Sequence, residues 1–519
     1  MLLSFLKQNK FKTALIFIAF AACSAVLLLP GVALGHDAHF HIIRIDAIVQ
    51  GLKNGEFLQK IYPLLYEGYG YPSPLYYGDL FLVVPALLNL LGLKLLACYK
   101  LFLALIIAAS LLTGYISASY ILRSEAGALV CSLLYTTCAY FAFNLYLRAA
   151  IGESQAYVFL PLVLMGLYSL LFDEDIKIWP LVLGFGGCIL VHIISSLILS
   201  VFTLLTLLVF SRRLFEKRRL RALLKAAGIT AALTGFFAFP LLEQYFISDI
   251  YSDVMNPLFS PGDRALLIQD LLLNTSGTPV MYPGLVLPGL GLIFAAAPVL
   301  RLFSIIKNRR LKPFLDFCGL LGLTALLCCT NIFPWHALTP YVYIVQFPWR
   351  LFSFASLFLS LFSGGVVSGF KLSKKAALAI GALALAAGLA SFVPTAVNTY
   401  YLSVQNDLLY EGLDDCEFID SNYLHANNDD EFFEPLPDEQ LAEESGLDIY
   451  FSREYAKLYL HLNETPAEDS AFEVPLVYCH GYSAVETGSG LELETEPGER
   501  GFVQLKLPAG TAKGVYLIS

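Results

Sequence analysis

The sequence predicts an all-α, polytopic membrane body of about 11 transmembrane helices, followed by a small C-terminal β-rich domain outside the membrane. Of the 519 residues, 57% are hydrophobic and 14% are charged, and the mean hydropathy is +0.66. A soluble chain with this balance lacks the polar groups needed to cover its surface. Apolar stretches near the ~20 residues that span a bilayer recur through the first three quarters of the chain. The pattern changes after Pro394.

Two regions follow from this change of pattern. We expect a transmembrane body over residues 1–394, with a long outer loop at 35–96, and an acidic linker plus β-rich domain over 395–519. The clearest apolar runs are Thr13–Leu29, Leu101–Ile121, Ala126–Asn144, Ile178–Phe210, Leu223–Leu242, Leu351–Gly369 and Ala376–Val393.

Lysine and arginine residues set the predicted orientation, because cytoplasmic loops carry an excess of them. Lys7, Lys10 and Lys12 precede the first run, so we expect a cytoplasmic N-terminus that acts as an uncleaved anchor. Basic clusters at 212–221 and 301–312 mark further cytoplasmic loops. The tail is then extracytoplasmic on a multi-pass protein of the cell membrane. No basic patch with interleaved aromatic residues lies outside the membrane, so no nucleic-acid partner is predicted.

Two linked alternatives concern the number of crossings. Tyr76–Leu93 is either a span or a helix at the outer interface. Ile178–Phe210 is too long for one span at ~1.5 Å per residue and is expected to contain two short helices broken near His192–Ser196. If the first segment is interfacial, the second must cross twice, and Arg148–Glu153 lies outside. This version gives the 11 spans counted above, and it is the one implied by the family resemblance given below.

The tail shows the alternation of β-strands. In Gly501–Leu507, apolar residues alternate with Gln504 and Lys506, and turn residues such as Pro497-Gly498 separate the runs. A small sandwich is the expected fold. Cys416 and Cys479 are the two cysteines of the tail, and they could form a disulfide outside the cytoplasm.

The first outer loop carries the densest set of chemically active residues, Gly35-His36-Asp37-Ala38-His39-Phe40-His41-Ile42-Ile43-Arg44. If the segment after Asp37 is helical, then Asp37, His41 and Arg44 share one face at spacings i, i+4 and i+7. Polar groups at the lipid boundary need partners or a cavity, so this face is a candidate site. In the simpler interpretation Asp37 only caps the helix.

Further candidates stand at breaks between apolar runs, each with a structural alternative. Tyr69 belongs to a loop rich in Gly, Pro and Tyr that either lines a polar cleft or forms an interfacial belt. Arg148 and Glu153 form either a site or a structural ion pair. His192 is either a ligand contact or a hydrogen-bonded core histidine. Arg350 either grips a ligand phosphate or reaches lipid phosphate.

These residues resemble a known superfamily. An aspartate just after the first span, followed by a long loop with Gly-Tyr-Gly and Pro-Ser-Pro-Leu-Tyr-Tyr, resembles the GT-C superfamily of membrane glycosyltransferases. Over essentially its whole length the chain also resembles the bacterial YfhO-like proteins and the membrane proteins called pyruvoyl-tetrahydropterin-synthase-related, in the phrases Gly-His-Asp-x-x-Phe-His, Gln-Phe-Pro-Trp-Arg and Val-Pro-Leu-Val-Tyr-x-x-Gly-Tyr. Nothing in the sequence indicates pterin chemistry.

The resemblance implies a GT-C-like body and a polyprenyl-phosphate-linked sugar donor. It implies that Asp37 is the catalytic base and that Glu153 assists it or binds a metal. A Glu stands where the family often has an Asp. Any divalent metal, Mg or Mn, would use Asp37, Glu153 and His41. Arg350, with Arg44 or Arg148 as alternatives, would hold the phosphate, and His41, Tyr69 and His192 would complete the substrate site.

The function implied is transfer of a sugar, with inversion, to an extracytoplasmic glycan or lipid acceptor of the cell envelope. Two other functions stay open. A transporter or flippase for a lipid-linked glycan would also use intramembrane charges and broken helices. A non-catalytic assembly factor of the cell envelope would use its tail to bind polymer.

Overall fold

The computed structural model describes residues 10–33, 35–248, 260–272, 289–405, 409–410, 423–424 and 436–519. These residues are mostly helical up to Gln405 and form strands in the tail, which confirms the predicted fold class. The α-helices, in chain order, are α1 (Lys10–Ser24), α2 (Ala38–Lys53), α3 (Ser73–Tyr76), α4 (Val83–Leu90), α5 (Leu95–Leu122), α6 (Glu125–Thr136), α7 (Ala139–Ala142), α8 (Ile151–Phe172), α9 (Trp179–Val191), α10 (Ile193–Val209), α11 (Ser211–Leu214), α12 (Lys217–Ile247), α13 (Ile293–Arg301), α14 (Leu311–Cys328), α15 (Trp335–Val342), α16 (Leu351–Ser368), α17 (Lys374–Gln405) and α18 (Asp438–Ser445).

Ten short strands accompany these helices in the described residues. They are β1 (Val32–Ala33), β2 (Leu409–Tyr410), β3 (Ile449–Glu454), β4 (Lys457–Leu462), β5 (Ser470–Val477), β6 (Ala484–Glu486), β7 (Glu492–Leu493), β8 (Thr495–Pro497), β9 (Phe502–Leu507) and β10 (Gly514–Ile518).

Within the described ranges, seven helical segments are long and apolar enough to cross a bilayer. The bent pair Glu125–Thr136 and Ala139–Leu147, with 43° between its halves, is an eighth candidate. The chain is therefore a multi-pass membrane protein. The seven segments are Lys10–Leu28, Leu95–Leu122, Ile151–Phe172, Lys217–Ile247, Leu311–Cys328, Pro348–Ser368 and Lys374–Gln405.

The two ambiguous segments of the sequence are both short helices in the structure. The run Ile178–Phe210 consists of α9 and α10, separated at His192, whose φ of −159° and ψ of 102° interrupt the helix as predicted. The apolar stretch Leu80–Leu90 is shorter than a bilayer crossing, since 11 helical residues rise only about 16 Å. By the same measure α9, with 13 residues, is also shorter than a crossing, so the double crossing of Ile178–Phe210 and the count of 11 spans stay predictions beside the seven or eight candidate spans of the described residues.

The chain divides into two compact units. The first unit comprises residues 1–42, 93–235 and 259–412 and holds most of the candidate spans. Its most buried spans are α8 and α16, whereas the part of α12 in this unit presents large apolar side chains such as Leu224 and Leu233 outward. Large apolar side chains on the outside of a membrane helix are expected to face the lipid chains of the bilayer. Helices α6 and α16 approach closely at Gly127 and Gly364, where a Cβ on either residue would overlap the carbonyl oxygen of the other.

The second unit comprises residues 43–92, 236–258 and 413–519 and contains two antiparallel sheets. One sheet has five strands in the order β3-β4-β10-β6-β7, and the other has three in the order β5-β9-β8. One apolar core joins them, with side chains such as Leu460, Val503 and Tyr516 fully buried. The predicted alternation in Gly501–Leu507 is confirmed, because Val503, Leu505 and Leu507 face this core.

The predicted disulfide of the tail involves one cysteine outside the described residues and one within them. Cys416, the proposed disulfide partner, lies outside the described residues, so the pairing stays a prediction. Cys479 is buried against Leu75 and Tyr76 within the second unit.

Candidate functional site

Glu153 is the centre of a buried polar group in the first unit. It lies in the first turn of α8, where the helix dipole favours a negative charge, and its side chain is 1% exposed. One carboxylate oxygen, Oε1, accepts hydrogen bonds from Tyr140 Oη at 2.7 Å, Asn144 Nδ2 at 3.0 Å and Ser353 Oγ at 3.2 Å. These donors come from α7, the turn after it and α16, so three segments meet at one carboxylate.

Two arginines approach the other carboxylate oxygen, Oε2. Arg148 Nη1 donates to it at 2.6 Å and also to Asn144 Oδ1 at 3.2 Å. Arg350 Nε lies 3.6 Å from the same oxygen, and its Nη1 donates to Gln346 Oε1 and to the Val345 carbonyl oxygen. Both arginine side chains are at least nine-tenths buried. The structure therefore brings together three of the residues proposed from the sequence.

Backbone hydrogen bonds connect the turn that carries Asp37 to the segment that carries Arg148. The turn at Gly35–Asp37 runs beside the end of a π-helix at Phe143–Leu147. The peptide N–H of His36 donates to the Leu147 carbonyl oxygen at 3.2 Å, and that of Asp37 donates to the Arg148 carbonyl oxygen at 3.0 Å. The charge of Asp37 also acts on the Arg148 guanidinium. Asp37 itself is half-buried, so its carboxylate is more accessible than that of Glu153.

The histidines of the same loop have different surroundings. The segment after Asp37 is helical, as predicted, and His41 Nε2 accepts a hydrogen bond from the Ile151 peptide N–H at 3.3 Å, which caps the start of α8. Burial, assisted by the charge of Arg148, lowers the pKa of His36 to about 4. Burial also lowers the pKa of His39. The neutral imidazole is thus the favoured form of both residues near neutral pH.

A cluster of cations surrounds the ring of Phe347. The guanidinium carbons of Arg148, Arg264 and Arg350 lie 5.4, 4.7 and 5.0 Å from its centroid. Arg264 is exposed, and it gives no signal in the sequence because it stands alone in a polar turn, Pro261–Arg264. Phe347 also stacks on Trp349 at 4.9 Å. The Gln346–Arg350 motif therefore supplies an aromatic floor for guanidinium groups.

His192 lies near this group and also ends a helix. Its Nδ1 is 2.8 Å from Ser195 Oγ and accepts the Ser195 peptide N–H, so the imidazole caps the start of α10. Its electrostatic neighbours include Glu153 and Arg350. The hydrogen-bonded role that the sequence left as an alternative is present.

Arg44 and Tyr69 belong to the second unit, where both have structural contacts. Arg44 is fully buried, pairs with Asp79 and donates to the Tyr77 carbonyl oxygen at 2.9 Å. Tyr69 packs on Phe502 at a ring distance of 4.8 Å, and its hydroxyl donates to a backbone carbonyl.

Two of the residues predicted as metal ligands, Glu153 and His41, have hydrogen-bond partners at the atoms that would bind a metal. Over the described ranges, no three His, Cys, Asp or Glu side chains come together as metal ligands. Both oxygens of Glu153 face hydrogen-bond donors, and His41 uses Nε2 for a peptide N–H. In this arrangement the ligating oxygens of Glu153 and the Nε2 atom of His41 are therefore occupied by hydrogen-bond donors.

The sequence matches no protein-family model and no curated protein. Among solved structures, the chain is similar to the cryo-EM structure of the arabinofuranosyltransferase AftD from Mycobacteria, with 14% identity and a TM-score of 0.45. That match covers 78% of this chain and 27% of AftD. It is also similar to crystal structures of the Archaeoglobus fulgidus oligosaccharyltransferase, in the apo form (14% identity, TM-score 0.40) and tethered to an acceptor peptide (13%, 0.38). Those matches cover 76% and 79% of this chain and 56% of each oligosaccharyltransferase chain, so this chain spans about half of their length and a quarter of AftD.

Proposed function

We propose that the protein is a membrane glycosyltransferase of the GT-C kind, related to the YfhO-like proteins. It transfers a sugar from a polyprenyl-phosphate donor to an extracytoplasmic glycan or lipid acceptor of the cell envelope. The observation that carries this proposal is the backbone hydrogen bond between Asp37 and Arg148, because it keeps a half-buried carboxylate close enough for its charge to act on the buried Arg148 guanidinium. Sugar transfer from a lipid phosphate requires a base that accepts the proton of the acceptor hydroxyl and a cationic group that stabilises the leaving phosphate.

In the proposed reaction, Asp37 is the base and the buried arginines bind the leaving phosphate. The acceptor hydroxyl attacks the anomeric carbon of the sugar while its proton passes to the Asp37 carboxylate. The bond between the anomeric carbon and the phosphate oxygen breaks, and polyprenyl phosphate leaves as an anion. Attack in one step from the opposite side inverts the configuration at the anomeric carbon.

The arginines would stabilise the leaving phosphate. The side chains of Arg350 and Arg148 are buried, and in a buried environment of low dielectric constant a charge-assisted hydrogen bond is stronger than in water. Arg264, on the same aromatic ring, is exposed and would meet the donor first. His41 and His192 would support the site from the helix starts that they cap.

Glu153 has a positioning role in this proposal. Its carboxylate is occupied by Tyr140, Asn144, Ser353 and Arg148, so it orients the guanidinium groups instead of accepting the acceptor proton. This division leaves Asp37 as the catalytic base. Metal use stays a prediction from the sequence.

The test compares Asp37→Asn and Asp37→Ala with the wild-type protein, each purified in lipid nanodiscs. Transfer of radiolabelled sugar from polyprenyl-phosphate donors to envelope extracts is measured. Loss of a general base lowers the rate by about 10²- to 10⁴-fold. Asp46→Asn, on the helix α2 that follows Asp37, is the matched control and should keep activity. Full transfer activity in both Asp37 variants would exclude Asp37 as the base.

A flippase for a lipid-linked glycan is the second candidate. The observations that favour it are the 43° bend between Glu125–Thr136 and Ala139–Leu147 and the break between α9 and α10 at His192. Discontinuous helices near buried charges are common at transport sites. Movement of a fluorescent lipid-linked glycan across proteoliposomes, without sugar transfer, would decide for this function.

A further inference from the structure

The five-stranded sheet packs one face on the apolar core of the domain. Its other face points outward and carries aromatic side chains. Along β4, Leu458, Leu460 and Leu462 are buried, whereas Tyr459 and His461 between them are partly exposed. Along β3, Tyr450 is 51% exposed. Side chains alternate between the faces of a strand, so these rings share the outward face.

Cross-strand pairing arranges this face in two rows. Tyr450 pairs with His461, which pairs with Val515 on β10. In the next row Ser452 pairs with Tyr459, which pairs with Leu517. Neighbouring strands are about 4.8 Å apart, and side chains two residues apart on one strand are about 7 Å apart. The six residues thus form one continuous patch, which we call the ring face.

The rings of this patch are fixed before any ligand arrives. Tyr450 and His461 stack with centroids 4.1 Å apart and planes within 6°. His461 Nε2 is 2.8 Å from Ser452 Oγ, and the Tyr459 hydroxyl donates to Glu454 Oε2 at 3.1 Å. Because one side of the Tyr450 ring rests on His461, its other side is the one available to a ligand. A fixed ring loses little conformational entropy on binding.

The charge of the surrounding domain restricts the ligand. Residues 436–519 contain 15 Asp and Glu against 5 Lys and Arg. Glu454 and Asp448 border the ring face, and Asn463 Nδ2 donates to Asp448 Oδ1. This balance repels polyanions and anionic lipid surfaces, whereas carboxylates and amides at the border can accept and donate hydrogen bonds to hydroxyl groups.

We propose that the ring face is a binding site for a neutral glycan, separate from the site around Asp37. The C–H side of a pyranose ring is apolar and weakly positive, and it packs on the negative face of the Tyr450 ring. The sugar hydroxyls, which point to the sides, reach Ser452, Glu454 and Asp448. A sugar stacked on the side of Tyr450 away from His461 lies at the edge of the sheet formed by β3.

The test uses the full-length protein in nanodiscs and a panel of neutral hexaoses of α- and β-linked glucose, mannose and galactose. Binding is measured by saturation-transfer NMR and calorimetry. We expect at least one hexaose to bind with a Kd below the millimolar range and hyaluronan oligosaccharides to bind more weakly. Tyr450→Ala and His461→Ala should each weaken binding at least 10-fold, and Tyr450→Phe should retain it.

Controls separate this site from folding defects and from the transferase proposal. Tyr341→Ala removes a tyrosine that is 81% exposed and should leave glycan affinity unchanged. The binding measurement involves no sugar transfer, so a failed transferase assay leaves this test intact. The proposal is overturned if no neutral hexaose binds, if hyaluronan binds more tightly, or if a protein ligand alone occupies the patch. Unchanged binding in folded Tyr450→Ala and His461→Ala proteins would also overturn it.

Discussion

The peptide N–H of Asp37 donates to the carbonyl oxygen of Arg148 at 3.0 Å, while the Arg148 guanidinium donates to Glu153 at 2.6 Å. Arg148 therefore connects the two acidic residues, through its backbone on one side and its side chain on the other. The distance between the proposed base and the arginines depends on this turn. Substitutions that move the turn should affect sugar transfer even where they touch no charged group.

Gly35→Ala should lower transfer activity by about 10²-fold, the loss associated with misplacing a reacting group by about 1 Å. Gly35 has a φ of +55°, and a Cβ there would overlap the Leu147 carbonyl oxygen, so the 35–37 turn must shift. Gly55→Ala is the matched control, because Gly55 has a φ of +82° but no atom within 4 Å of its added Cβ. Initial transfer rates of both variants are compared, and equal rates would contradict the positioning role.

Glu153→Ala should destabilise the fold by about 3–5 kcal/mol, since it leaves two buried guanidinium groups without their carboxylate. Glu153→Gln keeps the shape but not the charge and should also lower the unfolding temperature. Glu174→Gln removes a carboxylate 84% exposed and 3.6 Å from Arg310, so its effect should be too small to measure. Thermal unfolding in nanodiscs measures all three, and an unchanged unfolding temperature in both Glu153 variants would show that the pair is not structural.

The sequence predicted the parts of this molecule that depend on local pattern. Apolar runs indicated the membrane body, and the interruption at His192 indicated two short helices, because an imidazole at a helix start is visible as a polar break in an apolar run. Alternation predicted the buried side of Gly501–Leu507. These features depend on neighbours in sequence.

Contacts between distant residues were harder to predict. Arg44 was grouped with Asp37 by helical spacing, yet its guanidinium pairs with Asp79, 35 residues away. Ser353, 200 residues from Glu153, gave no signal, and neither did Arg264. Spacing along one helix identifies residues that share a face, but it does not say which loop or helix packs on that face.

Arg264→Ala should raise the KM for the lipid-linked donor several-fold while changing kcat little. Arg264 is exposed and 4.7 Å from the Phe347 centroid, so it can attract an anion early without contributing to the buried group. Arg309→Ala removes another exposed arginine and should leave KM unchanged. Steady-state kinetics over donor concentration at two salt concentrations gives the result. A fall in kcat at constant KM would instead place Arg264 in the chemical step.

The pH dependence of stability should report on His36. Its pKa is lowered to about 4 in the folded protein, mainly by burial, whereas an unfolded histidine titrates near 6.5. Between these values the unfolded chain binds the extra proton, so stability is greatest above pH 6.5 and decreases as the pH falls toward 4. The slope from one such residue is at most about 1.4 kcal/mol per pH unit. His36→Gln should remove this slope.

Apparent unfolding temperatures of the nanodisc-embedded protein, taken from pH 7.5 to 4.5, test this expectation. His336→Gln is the control, because the His336 side chain is 70% exposed and its replacement should preserve the wild-type slope. Because the Arg148 charge contributes to the shift, Arg148→Gln should also reduce the slope, though less than His36→Gln, since burial is the larger cause. A His36→Gln protein that loses stability with acid as steeply as the wild type would show that other groups set the acid sensitivity.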